Sequence, residues 1–147
     1  MTTEGPATIS AKNGHNRCLL CGHLNPRSLN LIFRDGENGV VETRFKAGPE
    51  LQGYDNILHG GVIASLLDAA MTHCLFHRGI QAVTGDLHVR FVRPIPCNTS
   101  LEIRARMTSC RPPLYMLEAQ IEHDQRVAAR AEAKFMKRGF LDGTRPC

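Results

Sequence analysis

The sequence predicts an α+β fold: an antiparallel sheet of about five to six strands wrapped around one long central helix. Three observations predict it. Only one segment, Val62 to His77, is proline-free, apolar and long enough for a buried helix. Several other segments alternate apolar and polar residues with the period of a strand. The links between the later strands hold few residues, which favours antiparallel neighbours. Each late strand carries one apolar and one charged face, so the sheet has one wet side. The helix is the one element apolar enough to cover the dry side.

At 147 residues the chain reads as one domain, with 42% hydrophobic residues to build its core. Residues 1–14 are small and polar and are expected to be disordered. The folded domain is expected over 15–138, and 139–147 as a C-terminal tail.

Cys18 and Cys21 form a C-x-x-C, with His15 and His23 beside it. A zinc knuckle is one reading. No second ligand pair follows at a zinc-finger spacing, so a tight turn with two buried thiols is the expectation. Asn25-Pro26-Arg27-Ser28 is a turn. Leu29, Leu31 and Phe33 alternate with Asn30 and Arg34, which predicts a strand. After the turn Asp35 to Gly39, Val41, Thr43 and Phe45 alternate with Glu42, Arg44 and Lys46 to complete a hairpin. Gly48-Pro49 ends it, and a short loop leads to Gly60-Gly61 and the helix. Arg78-Gly79 stops the helix.

Strand patterns then return. Leu87, Val89 and Phe91 alternate with Asp86, His88 and Arg90. Leu101, Ile103, Ala105 and Met107 alternate with Glu102, Arg104, Arg106 and Thr108. Pro112-Pro113 turns the chain, and Leu117, Ala119 and Ile121 alternate with Glu118, Gln120 and Glu122. His123-Asp124-Gln125 is a tight connection to the run from Val127 to Phe135. The open sheet edges and the single covering helix lead us to expect a dimer joined edge to edge.

The helix carries the unusual chemistry. From Val62 to Met71 its one charged residue is Asp68. A carboxylate in a buried helix costs several kcal/mol unless a donor, water or a function meets it. Ser65, Asp68 and Thr72 fall at i, i+3 and i+7 and share one face. This is either a polar seam on a buried rod or the solvent-facing stripe of a surface helix. Ahead of it, Gly60 and Gly61 let the backbone approach a ligand closely. The first helical turn presents unpaired N–H groups to an anion or to a carbonyl gaining charge.

Composition bounds the rest. The net charge of +4 is modest, and the basic residues are scattered with few aromatics among them. Nucleic-acid binding is therefore not expected. No segment approaches the ~18 consecutive apolar residues of a membrane span. Met1 to Ala11 has no signal-peptide core, so a cytoplasmic address is expected, with the six cysteines reduced.

The stretch His59-Gly60-Gly61-Val62-Ile63-Ala64-Ser65-Leu66-Leu67-Asp68-Ala69-Ala70-Met71 resembles the helix signature of hotdog-fold acyl-CoA thioesterases of the phenylacetate-pathway, PaaI-like type. Cys18-x-x-Cys21-Gly22 with Asn25-Pro26 and Leu29 resembles the opening of small members of that group. Val83-Thr84-Gly85-Asp86-Leu87, followed by Phe91-Val92-Arg93-Pro94, resembles their third strand. The resemblance runs roughly from Cys18 to Met136.

It implies hydrolysis of an acyl-CoA or aryl-CoA thioester lying across the interface of a dimer or a dimer of dimers. Asp68 becomes the general base or nucleophile, acting across the interface. Gly60 and Gly61 supply oxyanion donors, His59 shapes their turn, and Thr84 positions water. Asn56 or Gln52 completes the carbonyl site, and nearby Asp55 adds a charge. Ser65 is a further candidate substrate contact. Arg90, Arg93 and Arg111 are candidates for the CoA phosphates, although Arg90 with Asp86 and His88 also fits a solvated face. No cofactor is expected and no metal is assigned. Two other functions remain in view. The loop Tyr54 to His59 loosely resembles that of hotdog hydratases and dehydratases, and a non-catalytic acyl-CoA-binding protein would keep the same pocket.

Overall fold

The computed structural model describes residues 14–137. The expected disordered start, apart from Gly14, and the expected tail at 139–147 lie outside these residues. Along the chain come β1 (Arg34–Asp35), β2 (Val41–Lys46), α1 (Gly60–Phe76), β3 (Ala82–Phe91), β4 (Ser100–Arg111), β5 (Leu114–His123) and β6 (Arg126–Lys137). They form one six-stranded sheet in the order β1-β2-β4-β5-β6-β3, with every pairing antiparallel. The helix α1 packs against β2 through β6. β3, the strand that follows the helix, forms one margin of the sheet.

Register explains how the helix fits. Ala105, Ala119 and Ala131 pair in one row across β4, β5 and β6, ending on Val41 of β2 and Val89 of β3. All three alanines are buried. Their small side chains leave a shallow trough on the dry face. The flanking rows are larger on β4 and β5: Ile103 opposes Ile121, and Met107 opposes Leu117. Leu66, Leu67, Ala70 and Met71 of the helix have no exposed surface and complete the core. The hairpin between β5 and β6 closes on Asp124 and Gln125, with φ of 56° and 61°. This left-handed pair makes the primed two-residue turn that matches strand twist. No helix among the described residues is long and apolar enough to cross a membrane.

One expected strand is corrected. Leu29 to Phe33 is irregular, and only Arg34–Asp35 pairs with β2. Asn30 has φ of 52°, which breaks the extended run. The Leu29 and Leu31 N–H groups donate to the carbonyls of Leu19 and Leu20 rather than to a neighbouring strand. The apolar alternation was still informative, because Leu31 and Phe33 are buried. Their periodicity reported burial, while the hydrogen bonds went to the cysteine turn.

The trough makes a specific prediction. Ala131→Leu adds volume beneath the helix and is expected to cost about 1–3 kcal/mol by overpacking. Urea unfolding checks this: the midpoint should fall while the slope stays constant.

Candidate active site

The helix begins where the accounting of backbone donors requires a cap. Its first turn has four N–H groups without intrahelical partners. The His59 N–H donates to the Leu51 carbonyl at 2.9 Å. The Gly61 N–H donates to the His59 Nδ1 at 2.8 Å, so the imidazole is the N-cap and carries its proton on Nε2. The Val62 N–H reaches back to the His59 carbonyl at 3.0 Å. Gly60 is the remaining residue, and the described hydrogen bonds assign its N–H no acceptor. Of the two expected oxyanion donors, Gly61 is therefore engaged by its own histidine and Gly60 is available. A Cβ on Gly61 would stand 3.1 Å from the imidazole, which is why the cap needs glycine there.

The loop before the helix is braced by the two residues expected near the carbonyl site. The Gln52 Oε1 accepts from the Asn56 N–H at 2.9 Å. Asn56 sits at φ of 60°, a left-handed position that asparagine tolerates. Gln52 thus shapes the loop, and Asn56 lies exposed at its tip three residues before His59.

The helix seam is not a solvent-facing stripe. Thr72 is buried, and Ser65 and Asp68 are half-buried. Ser65 Oγ donates to the Gly61 carbonyl at 2.8 Å and Thr72 Oγ1 to the Asp68 carbonyl at 3.0 Å. Both hydroxyls are satisfied within the helix. The Asp68 carboxylate turns instead to the sheet margin, where Thr84 Oγ1 donates to its Oδ1 at 2.5 Å. Burial pushes the Asp68 carboxyl above the ordinary carboxylate range, while the Thr84 hydrogen bond and the charge of His15 pull it back.

Thr84 reaches the carboxylate through a bulge. Leu87 pairs with Ala133 and Thr84 with Phe135, so three steps on β3 face two on β6. Strict alternation from Leu87 would send Thr84 to the wet face with Asp86. The extra residue, Gly85, resets the pleat and turns Thr84 toward the buried side of Phe135. A glycine inside a strand pattern was the available signal.

Two expected substrate contacts are not brought to Asp68. Arg93 donates from Nη2 to the carbonyls of His123 and Arg126, the latter at 3.0 Å. Its guanidinium clamps the β5–β6 hairpin. Arg90 is exposed on the wet face, on the side of β3 opposite to Val89. There it lines an open groove of about 580 Å³ with His88, Arg104, Arg106, Glu118 and Glu132. Arg104 pairs with Glu42 at 3.2 Å across this face, and Arg106 pairs with Glu118. The solvated-face reading of Arg90 matches this placement.

The buried His73 was not singled out in the sequence. Its ring stacks on Phe33 at 4.6 Å, and burial above all pushes its pKa down to about 3. It acts as a neutral aromatic in the core.

Comparison with known proteins bears on this arrangement. The thioesterase superfamily pattern matches residues 55–129, half of the chain, and takes in the His-Gly-Gly turn, α1 and Asp68. The chain belongs to the thioesterase superfamily. This superfamily member is 31% identical over 77 residues to acyl-coenzyme A thioesterase THEM4 of Bos taurus, covering 52% of the chain and 31% of the relative. It spans about half or less of the length of the curated relatives it matches. Among solved structures, it superposes on a thioesterase-type protein of Streptococcus pneumoniae, solved with coenzyme A, at a TM-score of 0.69. That match is 16% identical and covers 74% of this chain and 88% of the other. The Escherichia coli PaaI protein of the phenylacetic acid degradation operon gives a TM-score of 0.68 at 19% identity, covering 74% and 80%. The fold of this superfamily member is accordingly the hotdog fold.

The Thr84 contact is directly testable. Thr84→Val keeps the shape and removes the donor that lowers the Asp68 pKa. The carboxyl should then titrate at a higher pH than in the wild type. Carboxyl carbon NMR across a pH series would read the shift, and an unchanged midpoint would contradict the hydrogen bond.

Proposed function

We propose that the chain hydrolyses an acyl-CoA thioester, with Asp68 as the base for water and Gly60 as the oxyanion donor, at a site completed by a second copy. One observation carries this reading. A carboxylate on an otherwise apolar helix is held half-buried and is met by a single side-chain hydroxyl from the marginal strand. The acyl-CoA class is supported by the superfamily, by the relative named acyl-coenzyme A thioesterase, and by the coenzyme A-bound structural neighbour.

The second copy follows from distance. Asp68 lies eight residues along the helix from Gly60, which is about 12 Å of axial rise. A base and an oxyanion donor serving one carbonyl must both lie within hydrogen-bond reach of the reacting atoms. One chain therefore cannot supply both. We place the second copy along β3, the strand that carries Thr84, so that Asp68 of one copy would face the Gly60 turn of the other.

In the proposed reaction, Thr84 holds Oδ1 and the other carboxylate oxygen takes a proton from water. The water oxygen bonds to the thioester carbon, and the carbonyl oxygen becomes an oxyanion facing the Gly60 N–H. Collapse breaks the carbon–sulfur bond. The proton on Asp68 passes to the departing CoA sulfur, so free acid and CoA thiol leave and the carboxylate is restored. The oxyanion contact is worth about 3 kcal/mol by the standard of a single preorganised donor. The His59 cap fixes the turn that presents this donor, and exposed Asn56 lies three residues before it.

Asp68→Asn is expected to lower thioester hydrolysis by at least ~100-fold, the lower range for a general base. A panel of acyl- and aryl-CoA substrates with free-thiol detection measures it, and wild-type turnover in a folded variant would remove Asp68 from the mechanism. The same variant has a signed effect on stability. The folded chain keeps the Asp68 proton to a higher pH than the unfolded chain, so this group's contribution falls as pH rises from the unfolded carboxylate range through the raised folded value. Asn escapes that loss, and the variant should melt higher than the wild type at neutral pH but not in acid. The raised carboxyl also sets the pH profile. The acid limb of kcat/KM should lie above the pH at which an ordinary aspartate titrates, and Thr84→Val should move it further up.

A further inference from the structure

The C-x-x-C makes a tight turn, but of the two thiols expected to be buried only Cys21 is, and Cys18 is half-buried. The Cys18 N–H donates to the His15 carbonyl at 3.1 Å, and the Gly22 N–H to the Cys18 carbonyl at 2.8 Å. This winding brings His15, three residues before the first cysteine, back onto the pair. The ligand atoms of His15, Cys18 and Cys21 all lie within 4.8 Å of one another. Cys21 Sγ is 3.7 Å from His15 Nδ1.

From these juxtaposed side chains we propose that His15, Cys18 and Cys21 bind a zinc ion, with water as the fourth ligand. Zinc bonds of about 2.3 Å to sulfur and about 2.0 Å to nitrogen place tetrahedral S and N ligands about 3.5 Å apart. The Cys21–His15 separation is close to that value. Two sulfurs with an imidazole form a soft donor set suited to zinc rather than to magnesium or calcium.

The surroundings fit a metal-binding turn. The Leu20 N–H donates to Cys18 Sγ at 3.3 Å, which orients that sulfur. Gly22 closes the backbone around the pair: a Cβ there would stand 2.3 Å from the Cys18 nitrogen and 2.6 Å from the Asn16 oxygen. The His15 ring is seated edge-on against Phe76 of α1 with centroids 4.8 Å apart. Cys21 is buried, while His15 and Cys18 are half-buried, so solvent reaches one side and supplies the fourth ligand.

The consequence is mechanical. The turn accepts the Leu29 and Leu31 backbone hydrogen bonds that replace the expected strand. It also touches the last turn of the helix through His15. Zinc would therefore fasten the segment that delivers Phe33 to the core, on the helix that carries Asp68. His15 also acts on Asp68 through its charge, so the test of this site does not use activity.

The test uses the full chain, reduced and freed of metal, then titrated with zinc alone. One zinc should bind per chain, as read by elemental analysis after gel filtration. Cys18→Ser, Cys21→Ser and His15→Ala should each weaken binding by more than the ~10- to 100-fold that loss of an outer-shell partner costs. Cys110→Ser, which removes an exposed thiol on β4, should bind zinc like the wild type. In the wild type itself, zinc should shield Cys18 and Cys21 from alkylation, and this needs no variant to fold. Equal alkylation of the pair with and without zinc would overturn the proposal. So would zinc binding that survives in all three ligand variants, or a Cys18–Cys21 disulfide as the stable form in reducing buffer.

Discussion

The structure depends on how a carboxylate is kept inside an apolar helix. Burial opposes the charge on Asp68 and dominates the shift in its titration. Among the described residues, the Thr84 Oγ1 hydroxyl at 2.5 Å offsets part of that cost, and the charge of His15 a smaller part. Two neighbouring hydroxyls on the same seam do not help, because Ser65 and Thr72 bond to helix carbonyls. The carboxylate is therefore under-solvated rather than neutralised. A group left in that state is a liability for stability, and it is the base in the proposed reaction.

The sheet is arranged around this tension. The helix lies over a row of alanines and fills the dry face, so α1 has little freedom to turn Asp68 away. The hydroxyl comes from β3, at the margin of the sheet, and not from a central strand. Its aim depends on one inserted residue, Gly85. At the start of the same helix, the His59 cap takes the Gly61 N–H and leaves the Gly60 N–H without an acceptor among the described hydrogen bonds. The two halves of the proposed chemistry thus sit two helical turns apart on one rigid rod. Their separation is what makes a second copy part of the proposed site.

The amino-terminal segment shows how one pattern can serve two ends. Leu29, Leu31 and Phe33 repeat with a strand's period, and the latter two are buried as a strand's inner face would be. Asn30 nevertheless bends the chain, and the backbone donors go to the cysteine turn. Hydrophobic periodicity records which side chains leave water. It does not record which carbonyl receives each N–H, because that choice is made by whichever segment lies alongside.

What the sequence determined by itself was whatever local spacing encodes. Alternation marked the four long strands and β2, and short links made β4, β5 and β6 antiparallel neighbours, while the β2–β4 and β3–β6 pairings join strands distant in the chain. A lone acid among apolar helix formers singled out Asp68, and the His-Gly-Gly step marked the helix start. Tertiary structure decided the rest, since it depends on residues far apart in the chain meeting in space. Only there does a bulge turn Thr84 onto Asp68, Arg93 spend its guanidinium on the β5–β6 hairpin, Arg90 fall on the wet face, and His15 close onto Cys18 and Cys21. Spacing along a chain sets the face on which a side chain lies; the neighbour it finds there is set by packing.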